Sequence, residues 1–205
     1  MSEGHDGAAR AVSPARFDAF SDGVIAIAIT LLVLEIKVPE AEDGGLWHEL
    51  GRLWPSYAAY AVSFLTIGIM WVNHHNLSRR LAAVDHGLVY ANLALLGSIS
   101  FLPFPTAVIA EYLRAGGDNE KAAAGLYAIA MILISLSFVG LWTWLRRHPH
   151  LVRDGYTADL GAQAKKAALA VPIYAVAGAV SFVSALAALV VFGVVALAFA
   201  FNRLD

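Results

Sequence analysis

Two polar clusters in this chain carry groups able to bind ions or move protons, and both adjoin apolar sequence. The first is Arg16-Phe17-Asp18-Ala19-Phe20-Ser21-Asp22-Gly23, which leads directly into VIAIAITLLVLEI. The second is Trp71-Val72-Asn73-His74-His75-Asn76, with Asp85 and His86 shortly after. Ionisable groups at the end of an apolar helix either anchor it at the headgroups or mark a polar path through the bilayer. Asp22 and His74 together would suit a proton relay. A shared metal suits the second cluster less well, because adjacent histidines point about 100° apart on a helix, unlike an i, i+4 pair. The chain contains no GxSxG, HExxH, P-loop or GxGxxG in a fitting context, so no enzyme class is specified.

The elements that must hold these groups are membrane helices. The chain is 59% hydrophobic and only 15% charged, with a mean hydropathy of +0.65, beyond the roughly 45–50% apolar and ~25% charged composition of soluble domains. It has no cysteine, which removes disulfides and thiolate sites, and a net charge of −2 with no basic region for nucleic acid. A ruler of about 20 apolar residues per span picks out segments 20–38, 54–73, 88–109 and 126–145. The block from Ala167 to Phe201 is too long for one span and is split near Ser181-Phe182-Val183-Ser184 into two short helices joined by a tight turn. The fold class is therefore all-α, with six transmembrane helices in one domain over residues 14–205 and a short mobile tail over 1–13 that lacks the pattern of a signal peptide.

Charge placement orients the bundle. Arg79 and Arg80 follow the second span, and Arg146, Arg147, Arg153, Lys165 and Lys166 follow the fourth. The other two loops are acidic, with Glu40, Glu42, Asp43 and Glu49 after the first span and Glu111, Asp118 and Glu120 after the third. Because Lys and Arg concentrate in cytoplasmic loops, both termini are expected in the cytoplasm. Trp47, Trp54, Trp142 and Trp144 fall near span ends, where aromatic belts belong. Pro103 and Pro105 are expected to distort the third span and Pro172 the fifth, with packed protein satisfying the freed carbonyls.

On the first helix, a step of ~100° per residue sets Ile27, Leu31 and Leu34 on one stripe, flanked by Gly23 and Thr30, with Asp22 pointing away. Four copies of that face around an axis would enclose a narrow apolar pore with a hydroxyl ring at Thr30; from periodicity alone, packing of the stripe against other helices is the favoured reading. Arg16, Ser21 and Asp22 read either as an interfacial cap or, with a helix starting near Pro14, as groups within it that need partners. The histidines are expected to bond within the bundle, to Ser21 or Asp22. Thr66-Ile67-Gly68-Ile69-Met70 is no carbonyl filter of the TVGYG kind, since it lies within a continuous apolar helix. Nor does any helix carry Arg or Lys at every third position as a voltage sensor would.

RFDAFSDGVIAIAITLLVLEIKVP resembles the opening of bacterial members of the transmembrane protein 175 family of potassium channels. Its RxxxFSD signature matches Arg16, Phe20, Ser21 and Asp22, and the Trp-x-x-His-His of Trp71, His74 and His75 and the FLPFPT of Phe101 to Thr106 are similar too. The resemblance implies a homotetramer of six-helix subunits whose first helices line the pore. It implies Ile27 as the narrowest ring, Leu31 and Leu34 further along, and Thr30 as a hydroxyl layer. Arg16, Phe20, Ser21 and Asp22, joined by Trp71 and His74, would brace the first helix. The expected function is a potassium-permeable cation channel of the bacterial plasma membrane, without P-loop filter, voltage sensor, cofactor or nucleic-acid partner; potassium ions and the lipid bilayer are its partners. A proton-coupled carrier using Asp22 and His74, or a non-conducting scaffold, are the alternatives.

Overall fold

The computed structural model describes residues 12–40, 45–114, 116–180 and 184–201. Most of the expected tail, Glu42 and Asp43 of the first acidic loop, and the expected turn at Ser181-Phe182-Val183 lie outside the described residues.

Helix α1 spans Pro14–Leu31 and tightens into a 3-10 turn over Leu32–Glu35. It starts where local chemistry says it should. The Ser13 hydroxyl accepts from the Arg16 amide at 3.4 Å, and Pro14, at the first helical position, sacrifices a donor that has no helical partner there. Ser21 and Asp22 thus lie inside the helix, which removes the cap reading. Helix α2, Gly45–Arg52, is a short exposed helix in the first acidic loop that the hydropathy pattern did not foretell.

Helix α3 spans Trp54–Ser78, α4 His86–Phe101, α5 Pro103–Tyr112 and α6 Gly117–Arg147. Helix α7, Leu160–Val180, and α8, Ala185–Phe201, complete the chain order. Among the described residues, four stretches are long and apolar enough to cross a membrane: Pro14–Glu35, Trp54–Ser78, His86–Tyr112 and Gly117–Arg147. Several helices exceed the expected spans because polar first turns extend them. Asp118-Asn119-Glu120-Lys121 belong to α6, and Gln163, Lys165 and Lys166 to α7.

The proline distortion is small, and its repair is visible. Leu102, between α4 and α5, keeps right-handed helical angles (φ −59°, ψ −32°). With Pro103 unable to donate, the Leu102 amide turns to the Ile99 carbonyl at 3.1 Å. The Thr106 amide and hydroxyl both donate to the Leu102 carbonyl, at 3.1 and 2.8 Å. The Thr106 hydroxyl also meets Ser63 of α3 at 2.8 Å, and Ser63 meets the Tyr127 hydroxyl of α6 at 3.0 Å. All three side chains are buried, so the break is packed against protein as membrane burial requires. Pro172, by contrast, sits inside α7 without ending it.

The two arginine-bearing loops pair with each other. Leu81 and Val152 form an antiparallel bridge, the Ala82 amide donates to the Leu151 carbonyl at 2.8 Å, and the Arg153 amide to the Arg80 carbonyl at 2.8 Å. The Arg80 guanidinium reaches Asp159 at 2.9 Å and lies over the rings of Trp142 and Tyr156, 5.5 and 5.3 Å from their centroids. At the other end of the bundle, Lys37 pairs with Glu111 at 3.2 Å. Basic loops thus share one end and acidic loops the other. Trp142 is buried, and Trp144 donates to the Asp85 carboxylate at 3.0 Å, so these two belong to the packing of the basic end rather than to an aromatic belt. Trp47 and Trp54 are exposed, as a belt would have them.

A candidate pore helix and the network behind it

Helix α1 divides into two faces. Phe17, Ser21, Ile25 and Ala28 are buried on the side of α1 that packs against α3 and α4, and Leu32, in the 3-10 turn, is buried where that turn meets α3 and α5. On the opposite side Phe20, Ile27, Leu31 and Leu34 are 56%, 61%, 42% and 71% exposed, with Gly23 and Thr30 also open. The sequence pattern could not choose between the faces because α1 is apolar nearly all round; packing makes the choice. Leu34 lies in the 3-10 turn, where residues three apart eclipse, so it stays in line with Leu31. The Thr30 hydroxyl lies 3.0 Å from the Ala26 carbonyl and 2.9 Å from that of Ile27. Its proton is therefore directed to its own helix, and its remaining lone pairs face outward.

Behind α1 lies a chain of hydrogen bonds whose directions can be assigned. The Ser21 hydroxyl donates to the Phe17 carbonyl at 2.9 Å, and so accepts from the Asn92 amide nitrogen at 2.9 Å. Asn92 then presents its amide oxygen to His74 Nε2 at 2.9 Å. His74 must donate from Nε2, which leaves Nδ1 as an acceptor, and that atom is buried without a partner among the described residues. Ser21, His74 and Asn92 are all buried. The Phe17 ring stacks on His74, with centroids 5.8 Å apart.

A second set of contacts runs beside it. The Trp71 indole donates to Asp22 at 2.8 Å, and Ser78 donates to Asp18. Trp71 also stacks on His75. Asp22 and His74 therefore have separate partners, and no bond joins them as a relay would need. The expected histidine contact with Ser21 exists, but through Asn92. Arg16 is exposed at the start of α1 and makes no side-chain bond among the described residues. Asp85, weighed above as a metal ligand, accepts from the Leu88 amide at 2.7 Å as the N-cap of α4 and also holds Trp144. No group of three or more His, Cys, Asp or Glu side chains is placed to hold a metal among the described residues.

Asn92 and Asp18 were not picked out as site residues from the sequence. The signal for Asn92 was a lone amide within the apolar run LVYANLALL; a polar group at that depth requires a partner. For Asp18 the only signal was its position one turn before Asp22.

Comparison with known proteins follows this geometry. The sequence model of the family described as "Endosomal/lysosomal potassium channel TMEM175" matches residues 16–103, from Arg16 through α1, α3 and α4 to the proline break. The chain is 47% identical to a potassium channel of Streptomyces collinus over 92% of each chain. It is 43% identical to a potassium channel of Chamaesiphon minutus over 82% of this chain and 84% of that one. It also superposes on the crystal structure of a lysosomal potassium-selective channel TMEM175 homolog from Chamaesiphon minutus with a TM-score of 0.83 and 42% identity, covering 92% of this chain and 97% of that one. With the signature residues, the helix order and near full-length relatives in agreement, this chain belongs to the TMEM175 family.

Proposed function

We infer that the protein is a potassium channel of the bacterial plasma membrane, passing ions passively along α1. The observation that carries this reading is the exposure of Phe20, Ile27, Leu31 and Leu34 on a helix whose other face is fully packed. An apolar face of this kind needs either lipid or other copies of itself, and the relatives named above are potassium channels. Six spans, α1, α3, the α4–α5 rod, α6, α7 and α8, with four subunits around one axis, would bring four α1 faces together. Ile27 then forms the narrowest ring, with Leu31 and Leu34 beyond it. Both termini lie in the cytoplasm if the paired arginine loops obey the positive-inside rule.

A ring of isoleucines offers potassium nothing in place of its hydration shell, so ions pass when the ring is wide enough for water. The ring sets a modest preference for potassium, and Thr30 strengthens it. With its proton directed inward, each copy turns acceptor oxygen toward the axis. The excess of acidic over basic side chains in the outer loops raises the local cation concentration. Ser21, Asp22, Trp71 and His74 act as braces that fix α1 within the subunit, and the exposed Arg16 and Phe20 would brace it against neighbouring copies.

The test is the reversal potential of purified protein in a planar bilayer under opposed potassium and sodium gradients. Unitary currents reversing toward the potassium potential support the reading. Slow saturable flux that requires a pH gradient would instead identify a carrier.

A further inference from the structure

Between α3, α6, α7 and α8 lies a narrow cavity of about 60 Å³ that opens to the surroundings. Neither the pore face nor the network behind it uses this space. Its walls are largely apolar, with Met70 of α3 and Phe138 and Trp142 of α6 prominent among them. Polar atoms enter at definite places: Lys166 of α7 and Asn73 of α3 toward the basic end, and Tyr174 of α7 deeper in the bundle. Lys166 is exposed and forms no hydrogen bond or ion pair among the described residues. Asn73 Oδ1 is buried and has no donor among them.

This pattern specifies an amphiphile. The Lys166 ammonium, which feels the Asp159 carboxylate without forming an ion pair with it, calls for an anion, the stranded amide oxygen for a hydrogen-bond donor, and the apolar rim for hydrocarbon. The cavity has room for a polar head group but not for an acyl chain. A membrane lipid meets all three demands at the depth where the basic loops place the head-group layer. We propose that this cavity binds the head group of one anionic glycerophospholipid per subunit, its hydroxyl between Lys166 and Asn73 and its acyl chains outside in the bilayer.

Native mass spectrometry of the delipidated full-length protein tests this, with phosphatidylglycerol, phosphatidylmethanol and phosphatidylethanolamine added separately. Phosphatidylglycerol should be retained most strongly. Phosphatidylmethanol, with equal charge and no hydroxyl, should come second, and phosphatidylethanolamine last. Lys166→Gln should weaken phosphatidylglycerol retention about fivefold, the worth of one basic contact to an anionic head group. The adjacent Lys165→Gln, which removes an equal charge outside the cavity, should not. Asn73→Leu should erase the preference for phosphatidylglycerol over phosphatidylmethanol while keeping the preference for anionic lipid. Excess inorganic phosphate should fail to compete, since it brings no acyl chain. Equal losses from Lys165→Gln and Lys166→Gln would mean a diffuse surface-charge effect and overturn the proposal, as would displacement by phosphate or equal retention of all three lipids. Retention is read without ion conduction, so it stands or falls separately from the channel reading.

Discussion

Asn92 is the residue on which the bracing of α1 most depends, and Asn92→Leu tests that dependence. Leucine matches asparagine closely in shape, so the change removes hydrogen bonds with little cavity cost. Two bonds are lost, to Ser21 and to His74, each 2.9 Å long. Hydrogen bonds between membrane helices are worth roughly 0.6 to 1.7 kcal/mol each, so the substitution should cost about 1 to 3 kcal/mol. The assay is reversible unfolding in mixed micelles titrated with SDS, followed by tryptophan fluorescence. Ser21→Ala supplies the second arm of a double-mutant cycle. The coupling between positions 21 and 92 should equal one bond, about 0.6 to 1.7 kcal/mol. Additivity to within about 0.3 kcal/mol would refute the assigned chain of donors, because uncoupled sites behave that way. Asn92→Leu should also loosen α1 against α3, visible as faster amide exchange at the start of α1.

Replacing Ile27 with Asn should raise unitary conductance and erode potassium preference, since a polar ring admits hydrated ions of either kind; unchanged single-channel currents would remove Ile27 as the constriction. Gly87→Ala should destabilise the protein by about 1 to 3 kcal/mol, the usual cost of overpacking, because a Cβ there would lie 1.9 Å from the Trp144 ring. In a Trp144→Ala background the same Gly87→Ala change should cost far less in thermal unfolding, whereas additive effects would show that the close approach is not the cause. Asp159, held below the usual carboxylate range by hydrogen bonds from Gln163 and Arg80, should support the basic-end clamp at pH 7 and pH 5 alike. Its folded value is depressed, so the contribution is present above the unfolded value of about 3.9 and disappears as pH falls through the lower folded value. The stability difference between wild type and Asp159→Asn, about 1 kcal/mol or less for so exposed a pair, should therefore vanish only in strong acid; a difference already lost at pH 5 would contradict this.

The helices were legible because spanning a bilayer imposes a length and a polarity that hydropathy reads directly. Their ends were not, since residues such as Asp118 and Lys165 are helical by local propensity while lying outside the apolar window. The stripe of Ile27, Leu31 and Leu34 was legible as a stripe. Its exposure was not, because nothing in an all-apolar helix distinguishes the packed face until Ile25 and Ala28 meet α3 and α4. The pairing of His74 with Ser21 through Asn92 joins residues 18 and 71 positions apart. Periodicity within one helix carries no information about such a meeting. Trp142 and Trp144 show the reverse failure: position near a span end suggested lipid anchors, while Arg80 and Asp85 had claimed them for the interior.

The clasp at the basic end also bears on how the protein is made. Arg80 meets Trp142, Tyr156 and Asp159, so it cannot close until synthesis has passed residue 159. Closing the clasp ties the foot of α3 to the chain just ahead of α7, so the two halves of the subunit are fastened at their base. A defect at Arg80 should accordingly appear first as poor yield from the insertion machinery, before any change in the current carried by molecules that mature.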